Sequence, residues 1–168
     1  AKQMDISPVQ YEFYNVTNTF QGTQASNSGI YSTYENVEIC VPNRSAGNYV
    51  VRYLDNNLKT ASLFFKDKLD EKDKYQVFLG GNYAQVEITT DAGTGKNLMI
   101  VKDSYANCMI PMLTPYYDKI IIIDPRYFYD DIREIIKINK VNEVLFLYNV
   151  NSFVEDNSLV DVLNKKQS

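Results

Sequence analysis

The chain has 168 residues, with 17 Lys and Arg against 21 Asp and Glu and a net charge of −4, a length that suits one hydrophobic core with at most a small annex. The basic residues are scattered, so no face for nucleic acid or for an anionic membrane surface is expected. No apolar run approaches a membrane span, no signal peptide is recognisable, and with no histidine and two cysteines neither a zinc site nor another metal or cofactor is expected.

A loop-rich lead-in opens the chain, ending in "GTQASNSG" over 22–29, and its start at Ala1 fits a processed protein or a piece of something larger. Short segments then follow with period-two or β-branched patterns: "VEICV" (37–41), "NYVVRYL" (48–54), "ASLFF" (61–65), "YQVFL" (75–79) and "AQVEITT" (84–90). Each reads as a strand, with "LDNNLK" (54–59) as a hairpin turn and "KDKLDEKDK" (66–74) as a charged, solvated connection. The 14 tyrosines, with no tryptophan beside them, read most simply as strand residues, although Tyr-rich loops also suit sugar-facing or protein-facing surfaces.

The pattern changes near residue 95 to βαβαβα. "LMIV" (98–101), "KIIIID" (119–124) and "EVLFLY" (143–148) are nearly continuous apolar runs, the mark of parallel strands buried on both faces. A helix is expected between the first two, with Ala106, Met109, Ile110 and Leu113 along one side and Pro111 bending or shortening it. Cys108 falls on its apolar side, so Cys40 and Cys108 read as two buried free thiols rather than a disulfide. A second helix carries Ile132, Ile135 and Ile136 behind an Asp131–Glu134 capping box, and a last one is expected from Ser152, paired at the same spacing with Glu155. The domain division that follows is a β-rich region over 1–74 and an α/β region over 75–168, forming one compact unit. Right-handed crossovers then bring the three strand ends to one edge, where ligands bind in open α/β sheets. Ser104, Asp124 to Arg126, and Tyr148-Asn149 meet there.

"KDSYAN" (102–107) is the informative stretch. A serine at the first turn of a helix after a buried strand points out of the sheet edge, beside unpaired N–H groups that suit an oxyanion. Ser104 or Asp103 also serves simply as the helix cap, and on these residues alone the cap is the better account. A serine nucleophile needs a base, and without histidine the one local candidate is Lys102, a weak Ser-Lys pair. "GTGKN" (93–97) precedes a strand instead of following one, so it reads as a turn and not as a phosphate loop. Asn15-Val-Thr17 and Asn43-Arg-Ser45 match the glycosylation pattern, which chance often produces. Asp103 and Asp124 lack the further acidic residues of a Mg²⁺-dependent receiver or phosphatase.

"FLGGNY", "KDSYAN", "DPRYF" and "LFLYNVNSF" follow one another in that order within residues 75–153. On these motifs the segment resembles the C-terminal half of the DHHW family, bacterial cell-envelope proteins related to SGNH hydrolases and similar to alginate O-acetyltransferase-like proteins. The resemblance implies an α/β fold with a three-layer SGNH/flavodoxin-like parallel sheet in the C-terminal half and a β-rich N-terminal region. Ser104 then matches the nucleophilic serine of the first SGNH block, whose Gly-Asp-Ser stands here as Lys102-Asp103-Ser104, so the glycine of that block has no counterpart. Gly80, Gly81, Asn82, Tyr105 and Asn149 match as oxyanion or substrate contacts, with turn formation and strand capping as the equal alternative. Asp103 is expected to support Ser104, while Arg126 either binds an anionic group or, more in keeping with its neighbours, pairs with Asp103 or Asp124.

The family's Asp and His belong to an upstream motif, and "MDISPVQYEF" contains neither His nor Trp. The resemblance therefore implies a piece of a longer protein whose upstream part supplies the base, this chain alone being inactive. That protein is expected at the surface of, or outside, a Gram-positive bacterium, transferring or removing acyl groups on an envelope polysaccharide. The competing expectation is a non-catalytic envelope module that binds carbohydrate or serves assembly.

Overall fold

The structure is a computed structural model that describes residues 9–22, 34–43 and 48–164. Most of the "GTQASNSG" stretch and the Arg44-Ser45 part of the second glycosylation pattern lie outside them. No helix among the described residues is long and apolar enough to cross a membrane.

Two sheets organise the chain. Strands β1 (Tyr11–Phe20) and β2 (Glu35–Pro42) form a two-stranded antiparallel ribbon. The larger sheet has six strands in the order β4-β3-β5-β7-β6-β8, namely β4 (Leu58–Thr60), β3 (Val50–Tyr53), β5 (Gln85–Thr89), β7 (Lys119–Ile123), β6 (Asn97–Lys102) and β8 (Glu143–Leu147). Its β7-β6-β8 part is parallel, while β5, β3 and β4 extend it antiparallel. The expected parallel sheet is thus one half of a mixed one. Val51, Tyr53, Val86 and Ile88, from strands that straddle residue 74, bury their inner faces in the same core as Leu98, Ile100, Ile120 and Ile122. Alternation shows that such strands have one buried face; it does not say which sheet they join.

β6 and β7 form the interior of the sheet. Ile120 to Ile123 are all fully buried, as four successive β-branched residues demand when both faces are covered. One face packs against Ile110 and Leu113, and the other against Phe128, Ile132 and Val162. β8 departs from the expected two-sided burial: it lies at the end of the sheet, with Val144 43% and Phe146 47% exposed.

"ASLFF" and "YQVFL" are not strands. A single antiparallel bridge, Phe64 to Phe78, joins them, and 3₁₀ turns occupy Lys66–Asp70 and Lys74–Val77. Leu63, Val77, Phe78 and Leu79 are buried all the same, because this segment packs its apolar side chains from turns. Around it the small sheet closes a third apolar cluster, in which Val37, Val16, Phe20 and Ile39 meet Tyr75, Phe78 and Cys108.

The helix after Ser104 is broken. A 3₁₀ turn over Ser104–Met109 leads into α1 (Ile110–Leu113) and a further 3₁₀ turn over Thr114–Tyr116. Pro111 is the cause: it has no N–H to donate to Asn107, so an α-helical ladder cannot run back through Ser104. Ala106 and Ile110 are buried as expected, whereas Met109 is 41% exposed. Cys40 is buried and Cys108 only half-buried, both as free thiols.

Asp131 caps α2 (Ile132–Ile138) by accepting from the Arg133 N–H at 2.9 Å. The C-terminal segment starts two residues before the expected Ser152, as α3 (Val150–Glu155), followed by α4 (Ser158–Leu163). Asn149 is its cap, accepting from the Asn151 and Ser152 N–H groups at 2.8 and 3.4 Å.

Candidate functional site

β6 runs out at Lys102, and Asp103 is the hinge between strand and turn. Its carboxylate is 3% exposed and divides its oxygens between two backbones: Oδ1 accepts from the Tyr105 N–H at 2.9 Å, and Oδ2 from the Asn149 N–H at 3.1 Å. The Asp103 N–H in turn donates to Leu147 at 3.4 Å. One carboxylate therefore caps the Ser104 turn and ties it to the end of β8. Asp103, and not Ser104, is the cap, which leaves the serine hydroxyl without a local duty.

Ser104 is half-buried and lines a cleft of about 840 Å³. Tyr148, Asn149 and Ser152 form one wall of this cleft, and Phe20, Glu35 and Tyr75 contribute from the N-terminal half. No hydrogen bond from the described residues reaches the Ser104 hydroxyl. Tyr105 stands beside it with its ring 71% exposed. The backbone N–H of Tyr105 is already used by Asp103, so what Tyr105 offers a ligand is its aromatic face.

Tyr75 braces the turn from outside. Its hydroxyl donates to the Tyr105 carbonyl at 2.8 Å and accepts from the Cys108 N–H at 3.3 Å. Burial raises its pKa, so it stays protonated and keeps donating. Phe20, Glu35 and Tyr75 are the cleft residues that sequence reasoning missed. Phe20 and Glu35 reach the cleft through the docking of the β1–β2 ribbon and Tyr75 from the 3₁₀ turn over Lys74–Val77, and no local spacing announces either contact.

The "LGGN" loop approaches the same turn from another direction. Leu79, Gly80 and Gly81 take φ values of 63°, 74° and 134°, a backbone path that favours glycine. A Cβ on Gly80 would also meet the Phe65 ring at 3.2 Å. The path delivers Asn82, whose Oδ1 accepts from Asn107 Nδ2 at 3.3 Å. At about three residues per 3₁₀ turn, Asn107 lies on the same side of the turn as Ser104. Asn107 itself is 2% exposed, with its Oδ1 buried and unpartnered.

Next to Asp103 lies a second carboxylate with a different task. Asp124, fully buried at the end of β7, takes three hydrogen bonds from Arg126, the backbone N–H to Oδ1 at 3.3 Å, Nε to Oδ1 at 2.9 Å and Nη2 to Oδ2 at 2.6 Å. Lys102 Nζ lies 3.7 Å from the same Oδ2. The bond from Asp124 raises the Arg126 pKa further, so its charge is permanent. Burial pulls the Lys102 ammonium down to about 8, against the pull of Asp124 in the other direction. Both cations thus face Asp124, and Lys102 links the end of β6 to the end of β7.

Tyr148 completes the group. Its hydroxyl is buried without a partner, and burial, reinforced by the Asp124 charge, raises its pKa. What converges at the sheet edge is a serine hydroxyl in an open cleft, a fixed aromatic and amide surround, and a neutralised ionic cluster behind it. Such a site can present a nucleophilic oxygen; among the described residues no side chain is hydrogen-bonded to that oxygen to take its proton.

Comparison with known proteins agrees with this architecture. Residues 45–123 match the family model described as DHHW protein. The crystal structure of a DHHW family protein from Eubacterium siraeum superposes with a TM-score of 0.77 at 25% identity, covering 96% of this chain and 56% of that one. Bacillus cereus PatB1 with a sulfonyl adduct gives 0.66 at 19% identity, covering 84% of this chain and 48% of that one. A further PatB1 structure gives 0.61 at 17%, covering 86% and 50%. The two PatB1 structures show a shared fold, and the chain spans about half the length of the solved structures it matches. No curated protein sequence matches it.

Proposed function

We propose that this chain is the serine-bearing part of a DHHW-family protein of SGNH type, and that the longer protein transfers or removes acyl groups, acetyl above all, on a bacterial envelope polysaccharide. The carrying observation is Ser104 itself: relieved of capping by Asp103, it stands at the end of a buried parallel strand and opens onto a cleft of about 840 Å³. In this reading the Ser104 hydroxyl attacks the ester carbonyl, and a base from outside the chain takes its proton. The carbonyl oxygen becomes an oxyanion, for which the Asn82 side-chain amide and the N–H of Ser104 itself are the donors, the Tyr105 N–H being held by Asp103. The leaving alkoxide is reprotonated by the same base, and the acyl group passes to water or to a sugar hydroxyl. Tyr105, Tyr75 and Phe20 give the cleft the flat aromatic surfaces that sugar rings stack on. PatB1 bearing a sulfonyl adduct supports the reading, since sulfonyl groups are captured by activated nucleophiles. The proposed place of action is the cell surface, or outside the cell, in a Gram-positive bacterium.

A second reading has its own support. The chain has no histidine, and the cleft is rich in aromatic side chains, which fits an envelope module that binds carbohydrate and does no chemistry. Assaying the longer protein with an acetyl ester and a serine-directed phosphonate separates the two. The enzymatic reading expects turnover and labelling that Ser104→Ala abolishes. Unchanged turnover in that variant removes it, and glycan binding without turnover selects the binder.

A further inference from the structure

β8 has the composition of an interior strand and, among the described residues, the position of an edge strand. "VLFL" is apolar on both faces, as strands covered from both sides are. Its in-register pairing with β6 puts Val144 and Phe146 on the face of Met99 and Val101. Those two β6 residues are fully buried, whereas Val144 and Phe146 are 43% and 47% exposed. Natural edge strands protect themselves with charges, proline, bulges or shortness. The far edge of the sheet does this: β4 has three residues, with Lys59 at its centre. In β8 only Glu143, at the entrance, is charged, and the register runs without a bulge. Beyond its end the apolar surface continues on α3, where Val150, Phe153 and Val154 are 75%, 61% and 75% exposed.

We propose that the free edge of β8 receives one further β-strand, supplied by polypeptide of the same longer protein outside this chain, and that α3 packs against the segment attached to that strand. An unpaired row of backbone N–H and C=O groups flanked by apolar side chains selects a strand over a small ligand. The source is argued from length: the Eubacterium siraeum structure is matched over only 56% of its chain, so a protein of this build has polypeptide outside the matched part from which a strand can come. The place also suits the chemistry, and here the inference rests on the proposed function. Leu147 and Asn149 at the end of β8 are bonded to Asp103, so the edge leads directly to the Ser104 cleft. A strand beside β8 lies about 10 Å from β6, two strand spacings, and a side chain at its rim can reach over the cleft to Ser104.

The test is backbone hydrogen exchange at residues 144 and 146, whose amides face away from β6, measured in this chain alone and in the whole polypeptide that its gene encodes. Slowing of those amides by on the order of 100-fold or more in the whole polypeptide, reversed by Phe146→Lys, is the expected result. Equal exchange in the two proteins overturns the proposal, as does a reading frame that ends with this chain. Sedimentation of the chain alone covers the rival occupant: a dimer that Phe146→Lys dissolves, with no extra protection in the whole polypeptide, assigns the edge to a second copy. Ser104→Ala in the whole polypeptide leaves the edge protected whatever it does to ester turnover, so the docking claim and the enzymatic reading fail separately.

Discussion

β6 and β7 lie side by side, end at the same rim and each hand over to an aspartate, yet the two ends differ in kind. Asp124 holds two cationic side chains besides the Arg126 N–H: Arg126 grips both its oxygens and Lys102 closes in from β6, so the carboxylate disappears into the core. Asp103 holds backbones: its oxygens fix the Ser104 turn and the start of the α3 segment. One arrangement makes the rim rigid and the other makes it specific, because ordering two loops around a serine hydroxyl shapes a cleft. Two similar strand-Asp sequences thus become a strut and a site according to which donors reach them.

The sharpest way to break this contrast is Asp124→Asn. Removing the shared anion leaves two cations facing each other in a buried place, and a loss of about 3–5 kcal/mol is expected by urea denaturation. Lys102→Met sharpens the same side. Burial places the folded-state pKa of Lys102 near 8, below the ordinary 10.5, so between those pH values the unfolded chain binds a proton that the folded chain has released. Stability therefore rises with pH through that window. The wild type should gain about 3 kcal/mol on Lys102→Met between pH 8 and 10.5, with tyrosine ionisation common to both proteins and cancelling. A difference that stays flat with pH would contradict the assignment.

Asp103→Ala probes the other end of the contrast. Losing a cap and a second charge-assisted bond should cost about 2 kcal/mol, and faster hydrogen exchange should be confined to Tyr105 and to residues 149–152. If exchange instead quickens along β6, Asp103 belongs with Asp124 as a strut. The smallest expected effect is from Ser104→Ala, within about 0.5 kcal/mol of the parent, since the hydroxyl has no structural partner among the described residues. A large loss there would make Ser104 a structural residue and weaken the proposed function.

The sequence revealed some of this and hid some, for definite reasons. Uninterrupted apolar runs located β6, β7 and β8, and the spacing after β6 put Ser104 at a strand-to-helix junction, where the chain forms a 3₁₀ turn. The same logic misread "ASLFF" and "YQVFL", because burial in turns yields the same apolar content as burial in a strand. It placed the last cap at Ser152, where a capping-box spacing occurs by coincidence, while Asn149 beside Asp103 performs that task. For Arg126 it left Asp103 and Asp124 both open, and the geometry of β7 gave the side chain to Asp124.

The amino-acid order by itself determined which segments must be shielded from water and where a hydroxyl would emerge between them, since periodicity and proline act within a few residues of chain. Tertiary structure alone decided that β3, β4 and β5 would widen the parallel strands into one mixed sheet. It also decided that the β1–β2 ribbon would wall the cleft and that β8 would lie at the end of the sheet among the described residues. The physical reason is that hydrophobic burial is non-directional: a sequence states that a face needs a partner, and only the packed chain says which partner it finds.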